Sequence, residues 1–184
     1  RLRRLYHGER VGAEGMYFDE WDPDRHVCAA FEIGREWPRW LAIDYGFAAP
    51  FCCLWFARDP ATRRIYVYRE LYAPGLRDEE QAPLVKARSE GERIVRRVAD
   101  PSMFAERKEQ GKPSIANVYA ADVPLERATN QRIAGWNAVR RALAWTRVNP
   151  DGSTTERPPR LQVFRQACPN LIRTLPKMVV DPLD

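Results

Sequence analysis

Two aspartates lie where apolar stretches of this chain are interrupted or end. Asp44 stands inside the run WLAIDYGFAAPFCCLWF, residues 40–56, and Asp100 ends the stretch RIVRRVAD just before a proline. A carboxylate in apolar surroundings loses hydration, which costs free energy unless a cation or hydrogen-bond donors pair with it. Taken singly, each aspartate is also typical of a turn, Asp44 because Gly46 follows and Asp100 because the proline ends a strand. Their chemistry therefore depends on whether the fold brings the two carboxylates together.

The elements that would position the two aspartates follow from hydrophobic periodicity. Strands are predicted at 40–46, 50–57, 64–71 and 93–99, with a helix at about 77–90 between the last two. Short turns join the first three strands into an antiparallel meander, whereas a helical crossover leads to the fourth. A right-handed crossover places the fourth strand parallel to the first and beside it. Asp44 and Asp100 would then face each other at the C-terminal ends of adjacent strands, where open α/β sheets place their sites.

The remaining elements are less regular. We predict a short helix at 102–110, a strand near 115–120, a long helix at about 125–146, a strand at 160–164 and a short helix at 168–175. Residues 1–38 show no sustained periodicity, apart from a short strand at 16–18, and are interpreted as a lead-in or linker. The chain is therefore predicted to hold one main domain, residues 39–184, after this linker.

A pair of facing carboxylates suggests a metal site. Two such groups at close range repel each other unless a cation lies between them. Oxygen ligands select hard ions, so Mg²⁺ or Mn²⁺ is expected. The four cysteines have no C-x-x-C spacing and are predicted to be reduced thiols, and both histidines lie near the N-terminus, which argues against a histidine-based centre. The pattern predicts a divalent-metal site and, together with the basic block described next, a metal-binding phosphodiester site.

The net charge of +5 is distributed unevenly. Ten arginines or lysines lie between Arg127 and Lys177, against only Asp151 and Glu156. A basic block of this kind attracts a phosphate backbone without reading its sequence, although charge alone is equally consistent with a solvated surface. The residues that we expect to contact DNA lie after the second acid and on the long helix: Lys108, Lys112, Arg132, Arg140 and Arg141.

Five stretches in order resemble the C-terminal nuclease domain of the large terminase subunit, the DNA-packaging motor of tailed bacteriophages. They are Glu14–Phe18, Trp40–Gly46, Ala99–Ser102, Ile133–Arg140 and Cys168–Pro176. The I-D-Y-G stretch alone also occurs in other ribonuclease H-like proteins, including Holliday-junction-resolvase-like domains, whereas the full series covers nearly the entire chain. The resemblance implies an α/β, ribonuclease H-like fold: a mixed central sheet, with three antiparallel strands followed by parallel strands, flanked by helices.

By the same resemblance the protein is expected to be a metal-dependent endodeoxyribonuclease that cuts concatemeric double-stranded DNA. Asp44 and Asp100 would be the first two metal ligands, holding two divalent ions that activate water and stabilise the leaving oxygen. The family's third acid lies in a segment similar to D-H-A-Y-D-A-L-R-Y, which this chain lacks. Asp181 and Asp184 precede its expected place, so we assign neither and expect the third ligand beyond Asp184.

The resemblance also implies partners. These are double-stranded DNA, a portal protein, a small terminase subunit and the protein's own ATPase domain, acting in the cytoplasm of an infected bacterial host. We expect a ring of subunits on the portal and a monomeric isolated domain. No G-x-x-x-x-G-K-[ST] loop occurs, so the ATPase is expected outside this chain, with residues 1–38 leading out of it. No long uncharged apolar stretch occurs, and no membrane association is predicted.

Two other functions fit parts of the sequence. The first is a catalytically incomplete module that binds DNA or docks on a portal while another domain does the chemistry. The second is a phosphotransferase of the actin-like group, which also begins with an aspartate near a glycine turn. The lack of a second glycine-rich phosphate loop argues against it.

Overall fold

The computed structural model describes residues 16–46, 49–107 and 111–179. Nine strands occur within them: β1 (Val27–Cys28), β2 (Arg39–Asp44), β3 (Phe51–Arg58), β4 (Ile65–Ala73), β5 (Ile94–Ala99), β6 (Glu126–Arg127), β7 (Thr146–Val148), β8 (Thr154–Glu156) and β9 (Leu161–Phe164). Seven of these strands form one sheet in the order β1-β9-β4-β3-β2-β5-β6. Strands β7 and β8 form a separate antiparallel hairpin.

The described residues also form five α-helices. They are α1 (Pro23–His26), α2 (Asp78–Arg88), α3 (Ile115–Tyr119), α4 (Arg132–Leu143) and α5 (Pro169–Thr174). Two 3₁₀ turns follow β5 and α5, at Pro101–Phe104 and Leu175–Lys177. No helix within the described residues is long and apolar enough to cross a lipid bilayer.

The central strands pair as the sequence predicts. Strands β2, β3 and β4 are antiparallel neighbours, and β5 lies parallel to β2 on its other side. Helix α2 forms the crossover from the meander to β5. Strand β9 runs parallel to β4, so the sheet is mixed. The predicted α/β fold class, with antiparallel strands followed by parallel ones, is therefore confirmed.

Side-chain alternation divides the core into two layers, one on each face of the sheet. On one face, the odd-numbered residues of β2 and β3, among them Leu41, Ile43 and Trp55, pack beneath α2 and α3. On the other face, Leu54 and Phe56 of β3 pack with residues of α4 and α5. Burial of these large side chains on both faces stabilises the sheet and holds β2 in its interior, between β3 and β5.

Three predicted elements differ from the structure. The strand predicted near 115–120 is helix α3, because the Ser114 side chain caps it by accepting from the Asn117 N–H, and Ile115 and Tyr119 are buried at helical spacing. The helix predicted at 102–110 is only a 3₁₀ turn as far as Phe104, and residues 108–110 lie outside the described residues. The helix predicted at 125–146 is confined to α4, and β6 precedes it.

The described part of the predicted linker is built into the sheet and the core. Strand β1 pairs in parallel with β9, and Phe18, Trp21 and Val27 are buried. The buried His26 ring lies 2.8 Å from the Leu143 carbonyl oxygen, which ties α1 to the end of α4. In place of a strand at 16–18, a single antiparallel bridge joins Met16 to Val179. That residues 1–38 lead out of another domain stays a prediction.

The close packing of the turn after β2 can be tested with a matched pair of glycine substitutions. A Cβ atom at Gly46 would lie 2.4 Å from the Ala49 carbonyl oxygen, whereas one at Gly135 would meet nothing within 4 Å. We expect Gly46→Ala to lower the free energy of unfolding by about 1–3 kcal/mol, because backbone must shift. Gly135→Ala, inside α4, should raise it by about 0.5–1 kcal/mol. Urea titration of both variants measures the difference, and equal stability of Gly46→Ala and wild type would contradict the packing.

Candidate metal centre

The β2–β5 pairing brings Asp44 and Asp100 side by side. Ile43 lies opposite Ala99 in the parallel register, and each aspartate is the next residue along its chain. The Asp100 N–H donates to the Ile43 carbonyl oxygen at 3.4 Å, which continues the pairing up to the two acids. Because side chains alternate along a strand, the two carboxylates project from the same face of the sheet. The predicted juxtaposition is therefore present in the fold.

Local structure holds Asp100 at the start of the turn that follows it. Its Oδ1 accepts from the Ser102 N–H at 2.8 Å, and Pro101 occupies the first position of the 3₁₀ turn. Met103, in the same turn, is fully buried in the core. A short side chain that caps a turn and an apolar anchor three residues later both stabilise the turn through which the chain leaves β5.

The charge of Asp44 is disfavoured by its surroundings. Partial burial raises the pKa of this carboxyl above its ordinary value, and the nearby Asp100 raises the pKa further. Both causes disfavour the ionised form, and a bound cation would reverse the second. This is the electrostatic situation in which two carboxylates become a metal ligand set.

The neighbouring thiol does not extend that ligand set. Cys52 lies opposite Asp44 in the β2–β3 ladder. Burial raises the pKa of the Cys52 thiol to about 11, and the negative charges of Glu70 and Asp44 add to this effect. Because metals bind the thiolate, a thiol that is neutral at pH 7 is a poor ligand for the hard ions that carboxylates prefer. The four cysteines are all free, as predicted.

The described residues supply two acids at this point of the sheet. Among them, no group of three or more histidine, cysteine, aspartate or glutamate residues converges on a common point. A pair of oxygen donors suits a hard divalent ion but leaves most of its coordination positions to other groups. Asp181 and Asp184 lie outside the described residues, so the third protein ligand stays a prediction.

The hydrophobic periodicity of the sequence did not reveal a polar cluster between the turn after Asp44 and the start of α2. The Tyr45 hydroxyl donates to Asp78 Oδ1 at 3.0 Å, and Arg107 Nη1 lies 2.8 Å from Asp78 Oδ2. Gln81, also on α2, donates to the Gly46 carbonyl oxygen at 3.2 Å. In the sequence, Asp78 is one of three successive acids at a helix start, a position where acids are expected for the helix dipole alone.

Helix α4 lies on the same face of the sheet as the two acids. It packs with Leu54 and Phe56, and Leu54 pairs with Ala42, two residues before Asp44. Its three arginines have different surroundings. Arg140 forms ion pairs with Asp19 at 2.8 Å and with Glu20 at 2.9 Å. The Arg132 guanidinium lies 4.4 Å from the Trp136 ring centre, and Arg141 is exposed. Lys112 is exposed beside Arg107, and Lys108 lies outside the described residues.

The raised pKa of Asp44 gives a pH-dependent stability of a definite sign. As pH rises above the ordinary value of 3.8, the unfolded chain loses the Asp44 proton before the folded chain does, so the metal-free fold is destabilised. Asp44→Asn lacks this titration. We therefore expect Asp44→Asn in EDTA to melt at a higher temperature than wild type at pH 7, and the difference to disappear as pH falls toward 3.8.

Asp59 provides a control, because its pKa is shifted in the opposite direction to that of Asp44. A hydrogen bond from Thr62 lowers the pKa of Asp59, so its carboxylate stabilises the fold at neutral pH and this contribution is lost as pH falls. Asp59→Asn should accordingly melt below wild type at pH 7. Thermal melts across pH 3–7 test both variants, and an Asp44→Asn protein less stable than wild type at pH 7 in EDTA would contradict the repulsion.

Solved structures with the same architecture are nuclease domains and whole large terminases of bacteriophages. The chain superposes on the large terminase of a thermophilic bacteriophage with a TM-score of 0.68 and 19% identity, covering 93% of this chain and 39% of that one. For the nuclease domain of bacteriophage P22 the TM-score is 0.64 and the identity 17%, with 89% and 80% covered. For the nuclease domain of bacteriophage SPP1 with bound manganese the values are 0.50 and 16%, with 84% and 78% covered.

These comparisons establish the fold of the chain and no more than the fold. No protein-family profile matches the chain, and no curated protein sequence matches it. The chain spans about two fifths of the length of the thermophilic phage terminase. At identities below one fifth, what is shared is the arrangement of strands and helices. The chain therefore has the ribonuclease H-like fold of large terminase nuclease domains, as the resemblance in its motifs implied.

Proposed function

We propose that this chain is the metal-dependent endonuclease domain of a DNA-packaging terminase. Its reaction would be hydrolysis of phosphodiester bonds in concatemeric double-stranded DNA. The observation that carries the proposal is the pair Asp44 and Asp100, which adjacent parallel strands bring together at the C-terminal edge of the sheet. The bound manganese in the SPP1 nuclease domain, which has a similar fold, supports the choice of a divalent ion.

The two aspartates would hold Mg²⁺ or Mn²⁺ between them, and we propose two ions. When bound, such ions stabilise negative charge on the scissile phosphate and lower the pKa of the attacking water. Asp100 is kept in place by its cap on the 3₁₀ turn, and Asp44 by the buried β2 residue before it. The remaining protein ligand is proposed to be an acid beyond Asp184.

Basic residues around this face would hold the DNA by its phosphates. Helix α4 lies on the same sheet face as the acids, and Arg132, Arg140 and Arg141 lie on it. With Lys108 and Lys112 after the second acid, they form the proposed contact surface. Phosphate contacts position a duplex without reading its bases, which suits an enzyme that cuts without strong sequence preference.

The whole protein's context is proposed on the same basis. An ATPase domain would precede this chain, and the assembled motor would form a ring on a portal protein together with a small terminase subunit in the cytoplasm of an infected bacterium. The isolated domain would be monomeric. The similarity to a large terminase, of whose length this chain spans about two fifths, supports this proposal.

A second candidate is a DNA-binding or portal-docking module without complete chemistry. The observation that favours it is the number of acids, because two carboxylates rather than three converge among the described residues. Such a module would bind DNA through the same basic surface and would leave the phosphodiester bond intact.

Cleavage of supercoiled plasmid tests the proposal directly. We expect nicking in Mn²⁺ or Mg²⁺, none in EDTA, and a loss of at least about 100-fold in Asp44→Asn and Asp100→Asn, because each removes a ligand charge. Asp122→Asn is the matched control, since it removes an acid that pairs with Lys86 on α2, over the opposite face. A version of the chain extended beyond Asp184 is assayed beside them.

Each pattern of cleavage has a distinct meaning. An Asp44→Asn protein that cuts at the wild-type rate would refute the metal-ligand assignment. Cleavage by the extended version only would identify a further ligand beyond Asp184. Binding without cleavage by either version, weakening steeply with salt, would establish the DNA-binding module instead.

The DNA surface is tested by comparing two adjacent arginines of α4. Arg141 is exposed, whereas Arg140 already pairs with Asp19 and Glu20. We expect Arg141→Gln to weaken binding to every DNA sequence alike and to reduce the slope of log K against log salt by about 1. Arg140→Gln should lower the melting temperature more than Arg141→Gln does. Fluorescence anisotropy at several salt concentrations measures the slope, and an unchanged slope in Arg141→Gln would remove that residue from the surface.

A further inference from the structure

The chain segments that leave the two acid-bearing strands meet at one carboxylate, Asp78. The residue after Asp44 is Tyr45, whose hydroxyl donates to Asp78 Oδ1 at 3.0 Å. Seven residues after Asp100 is Arg107, whose Nη1 lies 2.8 Å from Asp78 Oδ2. Each oxygen of this side chain therefore contacts a different one of the two segments.

Asp78 is well suited to hold both segments. It is the first residue of α2 and only 8% exposed, so its charge lies at the positive end of a helix dipole in a partly dry environment. The Arg107 guanidinium compensates that charge and is itself fixed, because its Nε donates to the Pro113 carbonyl oxygen at 2.8 Å. A charge-assisted contact with this much burial is stronger than one at the surface.

A second side chain of α2 reinforces the contact on the Asp44 side. Gln81 is fully buried, and its Nε2 donates to the carbonyl oxygens of Gly46, at 3.2 Å, and Leu76, at 2.7 Å. Its Oε1 accepts from the Tyr119 hydroxyl of α3 at 2.7 Å. The turn after Asp44 is thus attached to α2 at two points, through the Tyr45 side chain and through the Gly46 backbone carbonyl.

Sheet pairing alone does not fix the two carboxylates. The ladder between β2 and β5 ends at Ile43 and Ala99, and its last backbone contact, from the Asp100 N–H, is 3.4 Å long. Beyond this point the directions of the two chains depend on the elements that they enter. Asp78 is the group that both of them contact.

We propose that Asp78 is a positioning residue for the Asp44–Asp100 pair, setting the separation of the two carboxylates through Tyr45 and Arg107. This inference rests on the proposed function, because it concerns the affinity of that pair for a divalent ion. A binding site must hold its ligands to within about 0.5 Å, and loss of an outer-shell contact typically lowers metal affinity about 10–100-fold.

A similar cluster elsewhere in the protein provides a control. Glu92 accepts from the Tyr68 hydroxyl at 2.6 Å and pairs with Arg69 at 2.8 Å, so it repeats the tyrosine, carboxylate and arginine of the Asp78 cluster. It lies past the C-terminal end of α2, whereas Asp78 lies at the N-terminal end, a helix length of about 16 Å away. Glu92→Gln therefore removes an equivalent charge and arginine ion pair far from the acids.

The experiment is titration of the 184-residue chain with Mn²⁺, following the free ion by electron paramagnetic resonance, with melting temperatures measured in EDTA. We expect Asp78→Asn to weaken Mn²⁺ binding about tenfold and Glu92→Gln to leave it within about twofold, although both lower the melting temperature. Tyr45→Phe removes only the hydroxyl and keeps the ring packed against the core, so it tests the tyrosine contact of Asp78 separately and still applies if Asp78→Asn fails to fold. Its expected loss is about threefold.

The outcomes separate this inference from the function on which it rests. Mn²⁺ binding that Asp44→Asn abolishes while Asp78→Asn and Tyr45→Phe leave it unchanged would overturn the positioning role and keep the metal site. Equal weakening by Glu92→Gln and Asp78→Asn would also overturn it, because the effect would then follow general stability. No Mn²⁺ binding by wild type, nor by the version extended beyond Asp184, would overturn both the site and the positioning role.

Discussion

The parallel pairing of β2 with β5 is the constraint on which the candidate site depends. Leu41 and Ile43 face the core on one side of β2, so the register of this strand is fixed by burial. Because side chains alternate, a slip of one residue would turn Asp44 toward the core and move it out of line with Asp100. The apolar residues of the sheet therefore determine where the charges lie, although they take no part in the chemistry.

The two carboxylates of the site destabilise the metal-free fold, whereas the apolar core around them stabilises it. The core brings together two carboxylates, of which Asp44 already has a raised pKa, and the metal-free protein carries that cost. Sites that store unfavourable electrostatics in this way are often functional, since the relevant ligand removes the penalty. The contacts that hold the exits of β2 and β5 lie with α2 and α3, whereas the basic helix α4 lies on the face from which the acids project.

Low sequence identity and a shared fold are compatible here for a physical reason. The three solved structures described above share 16–19% of residues with this chain over at least 84% of its length. What the fold requires is apolar side chains on both faces of β2, β3 and β4 and a helical crossover, and many residue types satisfy that requirement. Under the proposed function, the two aspartates are the positions at which an apolar residue would remove a metal ligand.

The sequence by itself determined the elements whose signals are local. The alternating strands, the helix opened by acids and the strand that ends at Asp100 each follow from short-range patterns, and the handedness of the crossover then places Asp44 beside Asp100. Tertiary structure decided the rest. Ile115–Tyr119 is too short for its apolar spacing to separate strand from helix, and packing against α2, together with the Ser114 cap, made it helical. The contacts of Asp78 with Tyr45 and Arg107 join residues about thirty positions apart, and only the folded chain brings them within hydrogen-bonding distance.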